Sequence, residues 1–216
     1  MKRFFVTGTD TGVGKTQVAG ALLSLLADAG HRPFAFKPYE TGVRGVPPDA
    51  AWLRACAGGW QPLSTVCVHR FAAPLAPAIA ARRPPSWKKT LATFRSFTGP
   101  GVVEGAGGLC VPLDPVHDVV DLAAALKLPV VLVARAGLGT LNHVALSLGL
   151  LERRGLKVHA VVLVKSSRGV DPAEASNPAW LEKRHRVRVL GPLGFFAHQA
   201  RRHEALKALL APLLPA

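Results

Sequence analysis

The chain has 216 residues, of which 49% are hydrophobic, and this is enough apolar material for one sizeable core. Lysine and arginine outnumber aspartate and glutamate by 27 to 13, and the net charge of +14 favours polyanionic partners such as nucleotides, nucleic acids or anionic surfaces. No apolar run approaches the roughly 20 residues of a membrane span, and none forms a signal peptide. The three cysteines lack the spacing of a zinc site or a disulfide framework. We therefore expect a cytoplasmic protein with no membrane contact.

Strand-like runs alternate with helical patterns along the chain. Strands are predicted at "RFFVTG", "PFAFKP", "GVVEG", "LPVVLVA", "KVHAVVLV" and "VRVLGPLG", and helices at "KTQVAGALLSLLADAG", "TLNHVALSLGLLERRG" and "HQARRHEALKALLAPLL". This alternation is typical of a parallel sheet covered by helices, with ligands at the carboxyl ends of the strands. The segment 42–100, rich in proline and glycine, has the weakest periodicity. We predict a single α/β domain over residues 1–216, a three-layer sandwich with a mostly parallel central sheet and helices on both faces.

The stretch "GTDTGVGKT" (residues 8–16) nearly matches the phosphate-binding pattern G-x-x-x-x-G-K-[ST], but five residues, not four, separate Gly8 from Gly14. It follows a predicted strand and opens a predicted helix, so that loop N–H groups and the helix N-terminus can face an anion. Lys15 is placed for the β- and γ-phosphates of a nucleotide and the Thr16 hydroxyl for Mg²⁺. The alternative is a glycine-rich turn with a solvated lysine. The context favours a P-loop NTPase-like fold with a variant loop.

Several segments together resemble one family. The stretches "GTDTGVGKT", "FKPYETG" and "VVEGAGGLCVPL" are similar to segments of dethiobiotin synthetase, the ATP-dependent ring-forming ligase of biotin synthesis. The stretch "LPVVLVARAGLGTLNH" extends the similarity over most of the chain. The resemblance implies that CO₂ carbamylates an amine of 7,8-diaminopelargonic acid and that the carbamate attacks the γ-phosphate of ATP. The second amine then closes a cyclic urea and releases phosphate.

The resemblance assigns residues to ATP and to the carbamate. It implies that Thr11, Gly12, Val13, Gly14, Lys15 and Thr16 bind ATP. Lys15 and Lys37 are implied catalytic residues that offset the repulsion between an anionic carbamate and a polyanionic phosphate. Thr11 and Thr41 are expected to bind the carbamate. Lys37 has an alternative interpretation as a surface lysine whose stem lies along apolar residues.

The same resemblance implies a Mg²⁺ site formed by Thr16, Asp49 and Glu104. Glu104 is also an implied catalytic residue that faces the diamine, and it stands between the apolar "VV" and "GAGG", where a turn lets ligands approach closely. Asp49 follows two prolines. As alternatives, Glu104 would be a helix-capping acid in a glycine turn and Asp49 an ordinary helix N-cap.

Two further assignments concern the partner subunit and the base of ATP. By resemblance, Asn142 in "GLGTLNH" reaches across a homodimer interface to hold the carboxyl tail of the substrate. Its alternative is a polar residue at a helix start. The residues Pro192, Leu193 and Gly194 are expected to lie near the base.

Three positions depart from the family pattern. Val164 stands where the family usually has asparagine for contact with adenine, Gly194 stands where proline is common, and Ala78 replaces a frequent histidine. The phosphate and metal groups are therefore intact while the base pocket is altered. We expect weak discrimination among nucleoside triphosphates, because valine offers neither a donor nor an acceptor to a base.

Three other functions compete with this interpretation. DNA-partitioning ATPases share the variant loop and would use the positive charge on DNA, but their pattern K-G-G-x-G-K-T conflicts with Asp10 and Thr11. Cobyrinic and cobyric acid amide synthases carry a glutamine-handling domain for which this chain lacks the length. A non-enzymatic nucleotide-binding module would not need Lys37 and Glu104 to converge on the loop. We expect no specific nucleic-acid partner.

Overall fold

A six-stranded parallel sheet forms the centre of the computed structural model, which describes residues 2–165, 167–169 and 171–214. The strands in these residues are β1 (Arg3–Gly8), β2 (Phe34–Phe36), β3 (Tyr39–Thr41), β4 (His69–Phe71), β5 (Gly101–Gly108), β6 (Val130–Arg135), β7 (Val158–Val164) and β8 (Val189–Leu193). The central sheet has the order β2-β5-β1-β6-β7-β8, and all its neighbouring strands run parallel. Strands β3 and β4 form a separate parallel pair.

Helices connect most of these strands. They are α1 (Lys15–Asp28), α2 (Pro48–Cys56), α3 (Leu63–Val66), α4 (Pro77–Ala80), α5 (Trp87–Arg95), α6 (Val119–Leu126), α7 (Thr140–Arg153), α8 (Ala173–His185) and α9 (Gln199–Leu210), followed by a 3₁₀ turn at Ala211–Leu213. Among the helices that the described ranges contain, none combines the length and the apolar character needed to cross a bilayer.

The helices cover both faces of the sheet, because successive strand residues point to opposite sides. In β1, Phe4 and Val6 pack in a core with α1, α2 and α9, whereas Phe5 packs in a second core with α5 and α6. Helices α7 and α8 cover β6, β7 and β8 on that second face. The predicted three-layer sandwich with a parallel sheet is confirmed.

Close packing between α1 and α2 sets the position of the functional site. Gly20 in α1 lies so near α2 that an added Cβ would be 2.7 Å from Trp52 Nε1. Helix α1 starts at the phosphate-loop sequence and stops before Gly30, whose φ of 78° ends the helix as the sequence predicts. Helix α1 follows the carboxyl end of β1, and Asp49 in the first turn of α2 lies 3.2 Å from Lys37, which follows β2, so the N-termini of both helices lie at the carboxyl edge of the sheet.

Candidate functional site

The loop between β1 and α1, residues 9–14, leads into a helix N-terminus that no side chain of the described residues caps. Gly12 and Gly14 have φ values of 75° and 104°, in the left-handed region that glycine adopts without strain. An uncapped N-terminus leaves first-turn N–H groups free for an anion, and the helix dipole favours negative charge there. The loop therefore has the form of a phosphate site despite its unusual spacing.

Lys15 is the first residue of α1 and is only 7% exposed. Its Nζ donates a 2.7 Å hydrogen bond to the carbonyl oxygen of Asp10, so the side chain lies back across the loop. Burial lowers the pKa of Lys15 to about 8, although the nearby Glu104 carboxylate acts in the opposite direction. A phosphate bound over the loop would favour the charged form.

Four elements bring charged and polar side chains together beside the loop. Lys37, directly after β2, has its Nζ 2.5 Å from Glu104 Oε1 and 3.2 Å from Asp49 Oδ2. The Thr16 hydroxyl donates to the same Glu104 oxygen at 2.9 Å. Burial alone would lower the pKa of Lys37, but the carboxylates of Glu104 and Asp49 raise it above its ordinary value. Lys37 is thus a buried, protonated ion-pair partner, and its interpretation as a surface lysine is wrong.

The two carboxylate oxygens of Glu104 differ: Oε1 accepts hydrogen bonds from Lys37 and Thr16, whereas Oε2 has no partner among the described residues. Glu104 lies within β5 and is 1% exposed, so the alternative of a helix-capping acid is wrong. Its Oε2 is buried and has no hydrogen-bond partner in the described part of the chain. Because a buried polar atom without a partner is costly, this oxygen fits a ligand that supplies positive charge or a proton.

The donor set around Glu104 suits a hard cation. Asp49 lies in the first turn of α2 rather than at its N-cap, which is Pro47, and its side chain is 44% exposed. With the Thr16 hydroxyl, these residues offer oxygen donors only, as Mg²⁺ prefers. Within the described ranges there is no group of three or more His, Cys, Asp and Glu residues that could hold a metal ion. A cation here would need phosphate and water oxygens as well, which is usual for Mg²⁺.

Glu40 is a functional-site residue that sequence reasoning missed. It is 4% exposed, and its carboxylate accepts hydrogen bonds from the backbone N–H groups of Asp49 at 3.0 Å and Ala50 at 2.9 Å. Burial raises the pKa of Glu40, while these two hydrogen bonds act against the shift. Glu40 therefore ties β3 to the start of α2. The sequence feature that could have identified Glu40 is its position in "YET", next to Thr41, which was predicted to bind substrate.

A cavity of about 650 Å³ opens over the loop and the charged cluster. The residues predicted from sequence that line it are Thr11, Gly12, Gly14, Lys15, Thr16, Lys37, Thr41, Asp49 and Glu104. Val13 does not line it, because its side chain is 2% exposed and packs in the core. The lining that was not predicted includes Gln17, Arg202 and the segment Pro74–Pro77.

Four predicted residues lie away from this cavity. Asn142 is exposed on α7, at the third position of that helix. Pro192 and Leu193 end β8 and Gly194 begins the loop that follows, and none of the three lines the cavity. Val164, at the end of β7, approaches the site from the same side, since its Cγ1 lies 3.5 Å from where a Cβ on Gly14 would be.

Comparison with known proteins identifies the family. A family model described as an AAA domain matches residues 2–196. The chain is 46% identical to ATP-dependent dethiobiotin synthetase BioD of Anaeromyxobacter dehalogenans strain 2CP-C, over 98% of this chain and 98% of the relative. The chain belongs to the dethiobiotin synthetase family. A second family member, ATP-dependent dethiobiotin synthetase BioD of Ralstonia nicotianae, is 38% identical over 97% of this chain and 96% of its own.

The solved structures support the fold alone. A nucleotide-binding protein in complex with ADP from Archaeoglobus fulgidus covers 95% of this chain and 86% of its own, with a TM-score of 0.52 and 13% identity.

Because similarity to the dethiobiotin synthetase from A. dehalogenans extends over nearly the full length of both chains, the match is not confined to the phosphate loop. The resemblance inferred from sequence segments is confirmed.

Proposed function

We propose that the chain is an ATP-dependent dethiobiotin synthetase that acts in the cytoplasm as a homodimer. Its substrates would be 7,8-diaminopelargonic acid, CO₂ and ATP. The observation that carries this proposal is the convergence of Lys37, Glu104, Asp49 and Thr16 on a cavity over the phosphate loop. The names of relatives that match over nearly their full length support the same reaction.

The reaction brings two anions together. An amine adds to CO₂ and loses a proton to give a carbamate, whose oxygen attacks the γ-phosphorus while ADP leaves. The second amine then attacks the carbamate carbon, closing the urea ring and releasing phosphate. Buried cations stabilise such a charge distribution best when they are already positioned before the reaction. The paired Lys37 ammonium and Lys15 are suited to this role, and Thr11 and Thr41 line the cavity as proposed carbamate ligands.

We propose that Thr16, Asp49 and Glu104 hold Mg²⁺ when nucleotide binds. The ion would supply positive charge that neutralises the phosphate oxygens during phosphoryl transfer. The buried Glu104 Oε2 without a partner, together with the exposed Asp49 carboxylate, supports this assignment. Val13 and the other loop residues would contribute backbone N–H groups to the phosphates, while Pro192, Leu193 and Gly194 would lie near the base.

An isotope assay tests the reaction. The protein is incubated with 7,8-diaminopelargonic acid, radiolabelled bicarbonate, ATP and Mg²⁺, and label that survives acid is counted. A closed urea retains the label, whereas a free carbamate releases it as CO₂ in acid. We expect acid-stable label in equal amount to the ADP formed. Lys37→Met should abolish it, and Lys88→Met, at an exposed lysine of α5, should not. Nucleotide binding without acid-stable label would refute the proposed reaction.

A mixing experiment tests the role of Asn142. If this exposed residue serves the site of the partner subunit, Asn142→Ala and Lys15→Ala chains should each be poorly active, and mixed dimers should carry one intact site. An equal mixture should recover roughly a quarter of wild-type activity, since half of the dimers are mixed and half of their sites are intact. No recovery after demonstrated subunit exchange would show that each site is built from one chain.

A further inference from the structure

Arg202 reaches the phosphate loop from a helix outside it. The residue lies on α9, which packs against α1 in one core, and it lines the cavity together with Lys15 and Thr16. A Cβ placed on Gly14 would be 3.5 Å from Arg202 Nη2. The guanidinium group is therefore at the N-terminus of α1, where an anion would lie.

The guanidinium group is half-buried and has no protein partner among the described residues. Burial lowers the pKa of Arg202, and no carboxylate contributes to that shift. Two other cationic side chains that contact α9 or the turn after it are satisfied: Lys207, also on α9, pairs with Asp28 at 2.8 Å, and Arg188 donates to the carbonyl oxygen of Pro212 at 3.1 Å. Since an unpaired charge loses hydration on burial without compensation, its placement favours an anionic ligand.

The neighbours of Arg202 indicate which part of a nucleotide it faces. The position that a Cβ on Gly14 would occupy, which is 3.5 Å from Arg202 Nη2, is also 3.5 Å from Cγ1 of Val164 at the end of β7. In the sheet order β2-β5-β1-β6-β7-β8, Lys37 and Glu104 lie on the other side of β1. A nucleotide whose γ-phosphate lies by Lys37 therefore has its α-phosphate and nucleoside toward Arg202.

We propose that Arg202 binds the α-phosphate of the nucleotide, a contact that rests on the nucleotide use in the proposed function. A guanidinium group presents two parallel N–H donors to two phosphate oxygens, which a lysine cannot do. The α-phosphate is common to every nucleoside triphosphate and remains in the diphosphate product. Arg202 thus supplies affinity without reading the base and holds both ATP and ADP.

Arginine variants with a matched control test the contact. Arg202→Met keeps most of the apolar stem and loses the charge, Arg202→Lys keeps the charge, and Arg201→Met makes the same charge change at the exposed neighbouring residue. Dissociation constants for ADP with Mg²⁺ are measured by calorimetry at one salt concentration. We expect Arg202→Met to weaken ADP about 10- to 100-fold, the range for a charged hydrogen bond. Arg202→Lys should be intermediate, and Arg201→Met should change affinity by less than about threefold.

Two further readouts separate a phosphate contact from a general loss of structure. The Rp and Sp isomers of ADPαS place sulfur at different α-phosphate oxygens, so the ratio of their dissociation constants should differ between wild type and Arg202→Met. In turnover, Arg202→Met should raise KM for ATP and leave kcat within about threefold, because Lys37 and Glu104 are untouched.

The possible results distinguish the Arg202 contact from the proposed reaction. Unchanged ADP affinity in Arg202→Met, or weaker affinity with an unchanged isomer ratio, would overturn the assignment to the α-phosphate. A wild type that binds neither ADP nor ATP would overturn both this inference and the proposed function. The expected Arg202 effects in a protein that forms no acid-stable label would support the contact and refute only the proposed reaction.

Discussion

The two ends of the cavity differ in how their polar groups are satisfied. At the end formed by β2, β5 and α2, Lys37 already pairs with Glu104 and Asp49. At the end where Arg202 of α9 lines the cavity, the guanidinium group has no partner in the described ranges, and the nearby Val164 of β7 is apolar. The first end holds its charges in a defined geometry before any ligand binds, whereas the second has a half-buried charge without a partner among the described residues.

This difference fits the roles proposed for the two ends. Phosphoryl transfer is accelerated by charges that need no rearrangement during the reaction, so positions within the reacting centre must be fixed in advance. The nucleoside only has to stay bound, which one phosphate contact and apolar surface can achieve. The predictions below test this contrast, beginning with the largest expected effect.

Removing a cation from the reacting end should have the largest effect. Lys37→Met or Lys15→Met should lower kcat by at least about 10²-fold, the scale for one positioned transition-state contact. Steady-state assays of ADP release and urea formation check this, with Lys88→Met as the matched control. Near-normal turnover in Lys37→Met would mean that the buried ion pair is structural and that the contrast between the two ends is wrong.

A change of one carboxylate should have a similar but more specific effect. Glu104→Gln preserves size and removes the charge that a hard cation prefers, so kcat/KM should fall by about 10²-fold. The apparent Mg²⁺ affinity, measured by titrating activity against Mg²⁺, should fall with it. Glu152→Gln, the same change at an exposed glutamate of α7, offers the comparison. If Glu104→Gln leaves the Mg²⁺ titration curve unchanged, Glu104 is only the partner of Lys37.

Changing the base should have a limited effect, because Val164 offers it no hydrogen bond. We expect kcat/KM for GTP and CTP within about 10²-fold of the value for ATP, since apolar contacts usually separate close analogues by about 10- to 200-fold. All three nucleotides are measured on one preparation. A preference for ATP above about 10⁴-fold would reveal hydrogen bonds to the base, from backbone groups such as those of Pro192–Gly194.

The smallest expected effect is a dependence of ADP affinity on pH through Lys15. Its pKa is lowered to about 8, so the free protein loses this charge as the pH rises through 8, whereas bound phosphate favours the charged form. ADP binding should therefore take up a proton near pH 8.5 and weaken by about tenfold per pH unit above that pKa. Calorimetry in two buffers of different ionisation enthalpy measures the uptake. Lys15→Arg should flatten the dependence, and an equal slope in this variant would assign the effect to another group.

The sequence predicted the six strands of the central sheet and the helices α1, α7 and α9, but not α6, α8 or the elements over the cavity. Strand β7 and helix α1 have long, periodic apolar patterns, and their observed bounds agree with prediction to within a few residues. Segment 42–100 holds α3, α4 and β4, which have three or four residues each. Elements this short show no period, so their structure depends on tertiary contacts that a pattern does not reveal.

For the candidate site, motif residues were predictable and supporting residues were not. Lys15, Lys37 and Glu104 lie beside glycines or strand ends that mark them. Glu40 and Arg202 act from β3 and α9, and Arg202 looks in sequence like any member of a basic helix. Glu40 and Arg202 reach the site only because β3 and α9 meet the other elements in the folded chain, and the spacing of residues in the sequence does not reveal these contacts.

The hydrogen bonds that Glu40 accepts also have a consequence for the length of the chain between β3 and α2. The Glu40 carboxylate binds the first turn of α2 and so helps to hold Asp49 beside Lys37. Gly42 and Gly45 in that loop have positive φ, and a Cβ on Gly45 would meet nothing within 4 Å. Loop closure becomes only slowly more costly with length. A change in the length of this loop would therefore leave the Asp49 carboxylate held beside Lys37, so loop length is a poor guide to the position of this carboxylate.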